Sequence, residues 1–166
     1  MKLYLLLISI FFGISCCKKK EIIDENETYK PVQVNCILSK NLDSAKLYIA
    51  GAWNWVEEKR VDRRQQKFIY LTPQTEGYSL VMNFRNDTVR FFRNNQIDSV
   101  YTYKILLQHE ITGTNYPEDQ EPALVFYRLY DGLRSGYVPL KICENYLLLQ
   151  HQYVSSVVGG RIWKKQ

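Results

Sequence analysis

The feature that most constrains this chain is a two-residue alternation of apolar and polar side chains that recurs from residue 53 to the C-terminus. Leu80, Met82 and Phe84 share one face of a predicted strand, and Tyr101 and Tyr103 begin the same pattern in another. A period of two predicts strands that bury one face. The predicted strands span residues 53–61, 78–84, 88–93, 98–108, 122–130, 136–144, 146–153 and 159–165.

Short polar turns separate these segments, for example at residues 85–87, 94–96 and 131–132. Successive hairpins predict an antiparallel up-and-down meander, and the lack of long helical patterns disfavours a parallel sheet. About eight such strands can close into a barrel, which removes exposed sheet edges. The interior of a barrel of this size holds side chains or one small ligand. The predicted fold class is therefore an all-β barrel.

Segments outside the alternation have simpler interpretations. Residues 41–48 predict a short helix capped by Asn41 or Asp43 that leads into the first long strand. Residues 16–40 are charged, contain a proline and show little periodicity, so they predict a tether that gradually becomes structured. Gly159 and Gly160 indicate a turn or bulge beside the last strand.

The first fifteen residues predict a signal peptide rather than part of the fold. Lys2 is followed by an apolar run of about a dozen residues, too short for a membrane-spanning helix, and then by Ser15. The order resembles a bacterial lipoprotein signal, in which a small residue precedes the cysteine that is cleaved at and acylated. Cys16 is the predicted attachment site and Cys17 is the alternative. An ordinary secretory signal with two incidental cysteines is the other interpretation.

Cys36 and Cys143 are isolated from each other and from any histidine cluster. In an oxidising compartment they could form a disulfide. Two buried free thiols are the alternative, because cysteine is often buried unpaired. The absence of a Cys-x-x-Cys or Cys/His pattern in the sequence disfavours a metal site.

Cleavage would leave about 150 of the 166 residues, enough for one domain, here 41–166, with one core. Without Lys2 the chain has 21 basic and 17 acidic side chains, and it carries no basic stripe with interleaved aromatic residues. Nucleic acid is therefore not an expected partner.

Sequence patterns for catalysis and metal binding are missing. His109 and His151 have no metal-ligand spacing, and no nucleophile motif or phosphate-binding glycine loop is present. Glu57 and Glu58, like the acidic group at 116–121, have the pattern of solvated surface charge. We expect no enzyme activity, no cofactor and no metal.

The segment "GAWNW" at residues 51–55 carries a family resemblance. Gly51-Ala52-Trp53 is similar to the Gly-x-Trp of the first barrel strand of lipocalins. That resemblance implies that Trp53 closes the barrel floor and that a basic residue of the last strand, Arg161 here, packs across its ring. Plain core packing of the tryptophans is the simpler interpretation and is compatible with this one.

A closer resemblance is to small lipocalin-like lipoproteins of Gram-negative bacteria. Trp53-Asn54-Trp55, then Thr72-Pro73 with Gly77-Tyr78, then the paired strands at 80–93 follow their order, over roughly residues 47–165. The resemblance implies a lipid-anchored protein of the cell envelope, in the outer membrane. It also implies a barrel that binds a small apolar ligand.

Two other functions stay open at this stage. The first alternative is a structural or protein-interaction lipoprotein with a filled barrel core, whose envelope partner the sequence does not identify. The second is an enzyme. An internal cavity would favour ligand binding, whereas a filled interior with an exposed apolar patch would favour interaction. Buried titratable groups in a cleft would favour catalysis.

Overall fold

The computed structural model describes residues 23–24, 29–62, 64, 67–114, 116, 120–152 and 158–166. The predicted signal peptide, Cys16 and Cys17 lie outside the described residues, as does most of 115–119 in the acidic loop. The described strands are β1 Ile23–Asp24, β2 Gly51–Asp62, β3 Lys67–Leu71, β4 Leu80–Arg85, β5 Thr88–Arg93, β6 Gln96–Leu107, β7 Pro122–Arg128, β8 Arg134–Ile142, β9 Tyr146–Gln152 and β10 Val158–Lys165.

Eight of these strands close into an antiparallel barrel, which confirms the predicted fold class. Strands β4 to β10 pair with one another in sequence order. Strand β10 then pairs with β2, and β2 pairs with β4, which closes the circuit. The closing ladder matches Gly51 to Phe84 and Trp53 to Met82. Strand β2 is long enough to pair with β4 near its start and with β3 near its end. Strand β3 therefore extends beyond the barrel as an extra strand.

Strand β3 was not predicted, because its run of Phe68, Ile69, Tyr70 and Leu71 is continuously apolar and shows no alternation. It leads into α2, Pro73–Glu76, a single helical turn. Thr72 caps this turn, and Gly77 ends it in the left-handed conformation with φ of 72°. The Thr-Pro and Gly-Tyr pairs noted in the sequence are thus the start and end of one short helix.

The helix α1, Leu42–Tyr48, covers one end of the barrel, which we call the closed end. Its N-cap is Asn41, whose side chain accepts hydrogen bonds from the backbone N–H groups of Asp43 and Ser44. This confirms the helix predicted at 41–48. The helix contacts β6 and β8, and its own residue Ala45 is fully buried. A third short helix, α3, Gln108–Thr112, follows β6.

The side chains that fill the closed end form the hydrophobic core. Trp53, Met82, Leu124 and Leu147 are 0% exposed, and Trp163 is 1% exposed. They come from β2, β4, β7, β9 and β10, so the core depends on the closed circuit of strands. Among the described helices, none is long and apolar enough to cross a membrane.

The segment before α1 lies against the outside of the barrel. Tyr29 donates a hydrogen bond to Glu57 at 2.6 Å and stacks on Tyr70 with ring centroids 5.0 Å apart. Cys36 and Cys143 are joined by a disulfide, and Ser39 forms a backbone bridge with Ile142. The disulfide interpretation is thus the one the structure contains, and residues 29–40 are attached at both ends.

Candidate binding cavity

A cavity of about 690 Å³ occupies the end of the barrel opposite α1, which we call the open end. This size lies in the range of pockets that bind small molecules. The barrel is therefore filled at the closed end and hollow at the open end. Its lining includes Phe91, Tyr101, Phe126, Tyr137, Leu149, Arg161 and Trp163.

Three aromatic rings form one wall of this cavity. Phe91, Tyr101 and Phe126 come from β5, β6 and β7, and each pair of their ring centroids is 5.9 Å apart. The edge-to-face and tilted arrangements are those that aromatic pairs prefer. The sequence alternation had placed Tyr101 on an inward face, and the cross-strand ladders assemble the other two beside it. This wall offers an apolar surface to a ligand.

A break in the barrel wall borders the cavity. Strand β8 pairs with β7 from Arg134 but pairs with β9 only over Leu140–Ile142. The β8–β9 ladder stops beside Pro139, which has no backbone N–H to donate. Tyr137, Pro139 and Gln150 lie on the two separated strands and line the cavity. The end of the β8–β9 ladder beside Pro139 therefore leaves a lateral opening in the barrel wall.

A β-bulge in β2 brings a carboxylate into the barrel. Trp163 is paired with Trp55, but the preceding residue Ile162 is paired with Glu57, so Val56 has no partner in this ladder. One extra residue reverses the inward and outward alternation. Glu58 consequently faces inward opposite Arg161, and Glu57 faces outward beneath the N-terminal segment.

Both glutamates are buried, with exposures of 3% for Glu57 and 2% for Glu58. The expectation that they are surface charges was therefore wrong. Their burial depends on the bulge and on the packing of residues 29–32, which are tertiary features that the sequence pattern does not show. Glu57 accepts hydrogen bonds from the hydroxyl of Tyr29 at 2.6 Å and from the backbone N–H of Val32 at 2.8 Å. Burial, together with the hydrogen bond and negative charge of Glu57, raises the pKa of Tyr29.

Glu58 bridges two guanidinium groups. One carboxylate oxygen accepts from Nε of Arg60, and the other accepts from Nε of Arg161 at 2.5 Å. Burial by itself would raise the pKa of this carboxyl group. The hydrogen bonds from the two arginines and their charges outweigh burial, so the pKa of Glu58 is lowered from its ordinary value of 4.5.

The lowered pKa of Glu58 predicts a specific loss of stability in acid. The ionised carboxylate stabilises the fold above pH 4.5, and this stabilisation is lost as the pH falls through the lower folded-state pKa. The melting temperature of the wild type should therefore drop more steeply than that of Glu58→Gln between about pH 5 and pH 3.

Thermal unfolding followed by circular dichroism across this pH interval makes the comparison. Glu144→Gln is the matched control, since Glu144 is an exposed carboxylate in the β8–β9 turn. The control should follow the wild type. Parallel pH curves for the wild type and Glu58→Gln would contradict the assignment of this carboxylate to acid stability.

The prediction that Arg161 covers Trp53 was wrong. Arg161 pairs with Glu58 near the cavity, whereas Nζ of Lys165 lies 5.2 Å from the Trp53 ring centroid. The β10–β2 ladder places Lys165 opposite Trp53. A basic residue of the last strand does lie against this tryptophan, but that residue is Lys165.

Gly51 and Trp53 lie at the closed end of the barrel, where the family resemblance placed Trp53. Gly51 has φ of 112°, a conformation that side chains disfavour, and a Cβ there would lie 3.3 Å from Cε of Lys165. Nζ of Lys165 donates to the carbonyl of Tyr48 at 3.1 Å, and Nε1 of Trp53 donates to the carbonyl of Ile49 at 2.7 Å. These bonds attach the end of α1 to the barrel.

Two further positions differ from their sequence interpretation. Gly159 and Gly160 lie inside β10 rather than in a turn. A Cβ on Gly160 would come within 2.9 Å of the carbonyl oxygen of Leu149, so glycine permits close approach of β9 and β10.

The two histidines lie in different elements, His109 in α3 and His151 in β9. The described part of the chain contains no group of residues that could hold a metal.

Comparison with family models, with curated proteins and with solved structures finds no match to this chain.

Proposed function

We propose that this chain is a lipid-anchored envelope lipoprotein whose lipocalin-like barrel binds a small apolar ligand at the open end. The observation that carries the proposal is the cavity of about 690 Å³ with its wall of three aromatic rings. A barrel of this strand number has room for one small ligand only where side chains leave the interior unfilled. The cavity at the open end is the part of this barrel interior that side chains leave unfilled.

The lipocalin-like part of the proposal is supported by the closed end. Gly51 and Trp53 start the first barrel strand, and Lys165 of the last strand lies across the tryptophan ring. The closed circuit of eight antiparallel strands is compatible with the same architecture. The opening between β8 and β9 would give a ligand a path through the wall.

Binding without catalysis is the proposed activity. The described residues that line the cavity supply aromatic rings, two serine hydroxyls and one guanidinium group, but no histidine, cysteine or carboxylate. Activation of a serine hydroxyl as a nucleophile needs an adjacent base. The carboxylate of Glu58, which pairs with the cavity-lining Arg161, is held by two arginines.

A second candidate function is docking of an envelope protein, and one surface favours it. In the β7–β8 loop Leu129, Tyr130 and Leu133 are 54%, 78% and 58% exposed. Adjacent exposed apolar side chains are typical of interaction sites. Such a role would be compatible with ligand binding, because the loop lies at the open end.

Binding of a neutral apolar dye tests the cavity directly. N-phenyl-1-naphthylamine should bind the wild type with increased fluorescence. Gly136→Phe should weaken this binding by about tenfold or more. Gly136 lines the cavity opposite Phe126, and nothing lies within 4 Å of a Cβ built there, so the added ring should fill the cavity without straining the strand.

Thr102→Phe is the matched control for this experiment. Thr102 is paired with Tyr127 on the face of β6 opposite to the cavity-lining Tyr101, so the same ring is added outside the barrel. The control should bind the dye like the wild type. Absence of dye binding by the wild type, or equal binding by Gly136→Phe, would count against a ligand-binding cavity.

Lipid attachment is expected at Cys16, on the basis of the apolar run, Ser15 and cysteine in that order. Mass spectrometry of the N-terminal peptide from isolated membranes should find an acylated cysteine at position 16. A peptide that begins at Cys17 would move the site by one residue. An unmodified N-terminus would refute the lipoprotein assignment.

A further inference from the structure

Several large apolar side chains are exposed at the open end of the barrel. Leu129, Tyr130 and Leu133 lie in the β7–β8 loop, and Ile97 lies at the open-end start of β6. Each of these four side chains is more than half exposed. Exposed apolar side chains on neighbouring elements are typical of a surface that contacts a protein partner or a membrane.

The β7–β8 loop holds its three apolar side chains outward in a closed turn. The backbone N–H of Arg128 donates to the carbonyl of Leu133 at 3.0 Å, and that of Gly132 donates to the carbonyl of Arg128 at 2.9 Å. Arg128 and Asp131 form an ion pair at 2.7 Å, and Asp131 also accepts from the N–H of Leu133. The exposed surface is therefore pre-organised by the bonds of the turn.

The N-terminal segment relates this surface to the expected lipid anchor. Ile23 in β1 is paired with Tyr70 of β3, which is paired with Lys59 in the open-end half of β2. Ile23 follows Cys16 by seven positions. A chain of seven residues spans at most about 25 Å. An acylated Cys16 is thus within reach of a bilayer that lies against the open end.

A bilayer against the closed end would lie farther away than this reach. Strand β2 runs eight residues from Lys59 to Gly51, which is about 20 Å along the barrel axis at the usual rise and strand tilt. Helix α1 covers that end and adds a layer of about 10 Å. The position of the anchor therefore favours the open end as the membrane-facing end, even though Leu47 of α1 is also exposed.

The side chains of the β7–β8 loop suit the interface of a bilayer. Tyr130 combines an apolar ring with a polar hydroxyl, which is the type of side chain enriched at the level of the head groups. Leu129 and Leu133 would leave water on insertion. The guanidinium of Arg128 lies 4.9 Å from the Tyr130 ring centroid, and Arg134 is exposed where the loop enters β8. Cations at this level are attracted to anionic head groups.

We propose that the β7–β8 loop inserts Leu129, Tyr130 and Leu133 into the bilayer to which the chain is anchored, so that the open end faces the membrane. Anionic phospholipid head groups lie against Arg128 and Arg134. This inference rests on the proposed function, because the anchor at Cys16 selects a lipid bilayer over an envelope protein as the partner of this loop.

Tryptophan reporters at the two ends test the proposal on the acylated chain in vesicles of phosphatidylethanolamine and phosphatidylglycerol. Tyr130→Trp places an indole at a loop position that is 78% exposed, and Leu47→Trp places one at a 71% exposed position of α1. The native Trp53, Trp55 and Trp163 are at most 2% exposed, so they give a background that the wild type measures.

Phospholipids brominated on the acyl chain quench indoles that lie within the bilayer, and iodide quenches indoles that lie in water. Brominated lipid should remove most of the fluorescence that Tyr130→Trp adds and leave the signal that Leu47→Trp adds unchanged. Iodide should have the opposite effect. Quenching of Leu47→Trp by the lipid instead of Tyr130→Trp, or of neither, would overturn the proposed orientation.

Partition of an unacylated chain into the same vesicles measures the loop by itself. This chain begins at residue 16, after the predicted cleavage, and carries Cys16→Ser and Cys17→Ser so that no acyl group contributes. Adding Leu129→Ser and Leu133→Ser should weaken its partition by about tenfold or more, because two leucine side chains then no longer leave water on insertion.

Ile37→Ser with Leu47→Ser is the matched control for the loop variant. It also removes two large apolar side chains, which are 94% and 71% exposed, but from the segment beside α1 and from α1 itself. The control should partition like the starting chain. Thermal unfolding followed by circular dichroism should be unchanged in both variants, since all four replaced side chains are exposed.

The outcomes separate this inference from the proposed function. Absence of acylation in membrane preparations would refute the lipid anchor, and the partition experiment, which needs no acyl group, would still decide the role of the loop. Equal partition of the loop variant and the control, or no partition of the starting chain, would refute insertion and leave the anchor and the cavity intact. An envelope protein would then be the remaining candidate partner of this loop.

Discussion

Replacing both Cys36 and Cys143 with serine should destabilise the protein by about 4–5 kcal/mol before any native-state strain is counted. The disulfide joins residues separated by 107 positions, so the loop that it closes contains nearly the whole barrel sequence. Loss of the disulfide removes this constraint from the unfolded chain. In the chain-entropy model, the stabilisation grows with the logarithm of the closed loop. Unfolding in guanidinium chloride, with and without a reductant, measures the change in the free energy of unfolding.

The reductant provides the internal control. It should lower the unfolding midpoint of the wild type to that of the double variant, and it should leave the double variant unchanged. Thiol labelling of unfolded, unreduced protein, followed by peptide mapping, reports the state of each cysteine. Full labelling of Cys36 and Cys143 would refute the disulfide, even if the double variant were unstable for another reason.

Trp53→Ala should cost about 3–5 kcal/mol, as is typical when a buried aromatic side chain is truncated. Trp53 is 0% exposed, donates a hydrogen bond to the carbonyl of Ile49 and lies beneath Nζ of Lys165. Its loss leaves a void at the closed end and removes the bond that ties the end of α1 to β2. The free energy of unfolding from chemical denaturation is the appropriate measure.

Asn54→Ala is the matched control, because Asn54 is the next residue and faces the opposite side of β2. Its side chain accepts a hydrogen bond from Gln166 at the end of the chain, in an exposed position. The expected cost is below about 1 kcal/mol, as for most surface substitutions. Lys165→Met should fall between the two, since it removes a cation–π contact but keeps much of the packing. Equal costs at positions 53 and 54 would contradict the register of β2.

The eight barrel strands could be predicted because alternation is a local property. In an antiparallel barrel with one face packed on the core, every second side chain must be apolar, and this requirement is written along each strand. The Asn41 cap of α1 is equally local, since capping involves only the first turn of a helix. Strand β3 escaped prediction because its four consecutive apolar residues carry no period.

The position of Glu58 could not be predicted, because it depends on the bulge at Val56. One unpaired residue reverses which side chains face inward, and the sequence around it contains no glycine or proline to indicate the change. The same ladder decides that Lys165, not Arg161, faces Trp53. Two basic residues on one strand are equivalent candidates until the register with the neighbouring strand is known.

The alternating strands, the helix cap and the Gly-x-Trp at the start of the barrel can be read from the chain, because each depends on neighbouring residues. That the barrel is filled at one end and hollow at the other follows only from the packing of side chains between strands. A cavity is the volume that side chains from several strands leave unoccupied, here those of β5 to β10. The guanidinium group of Arg161 faces into the cavity because β10 pairs with the bulged β2. The shape of the cavity and the charge along its wall therefore both depend on closure of the strands.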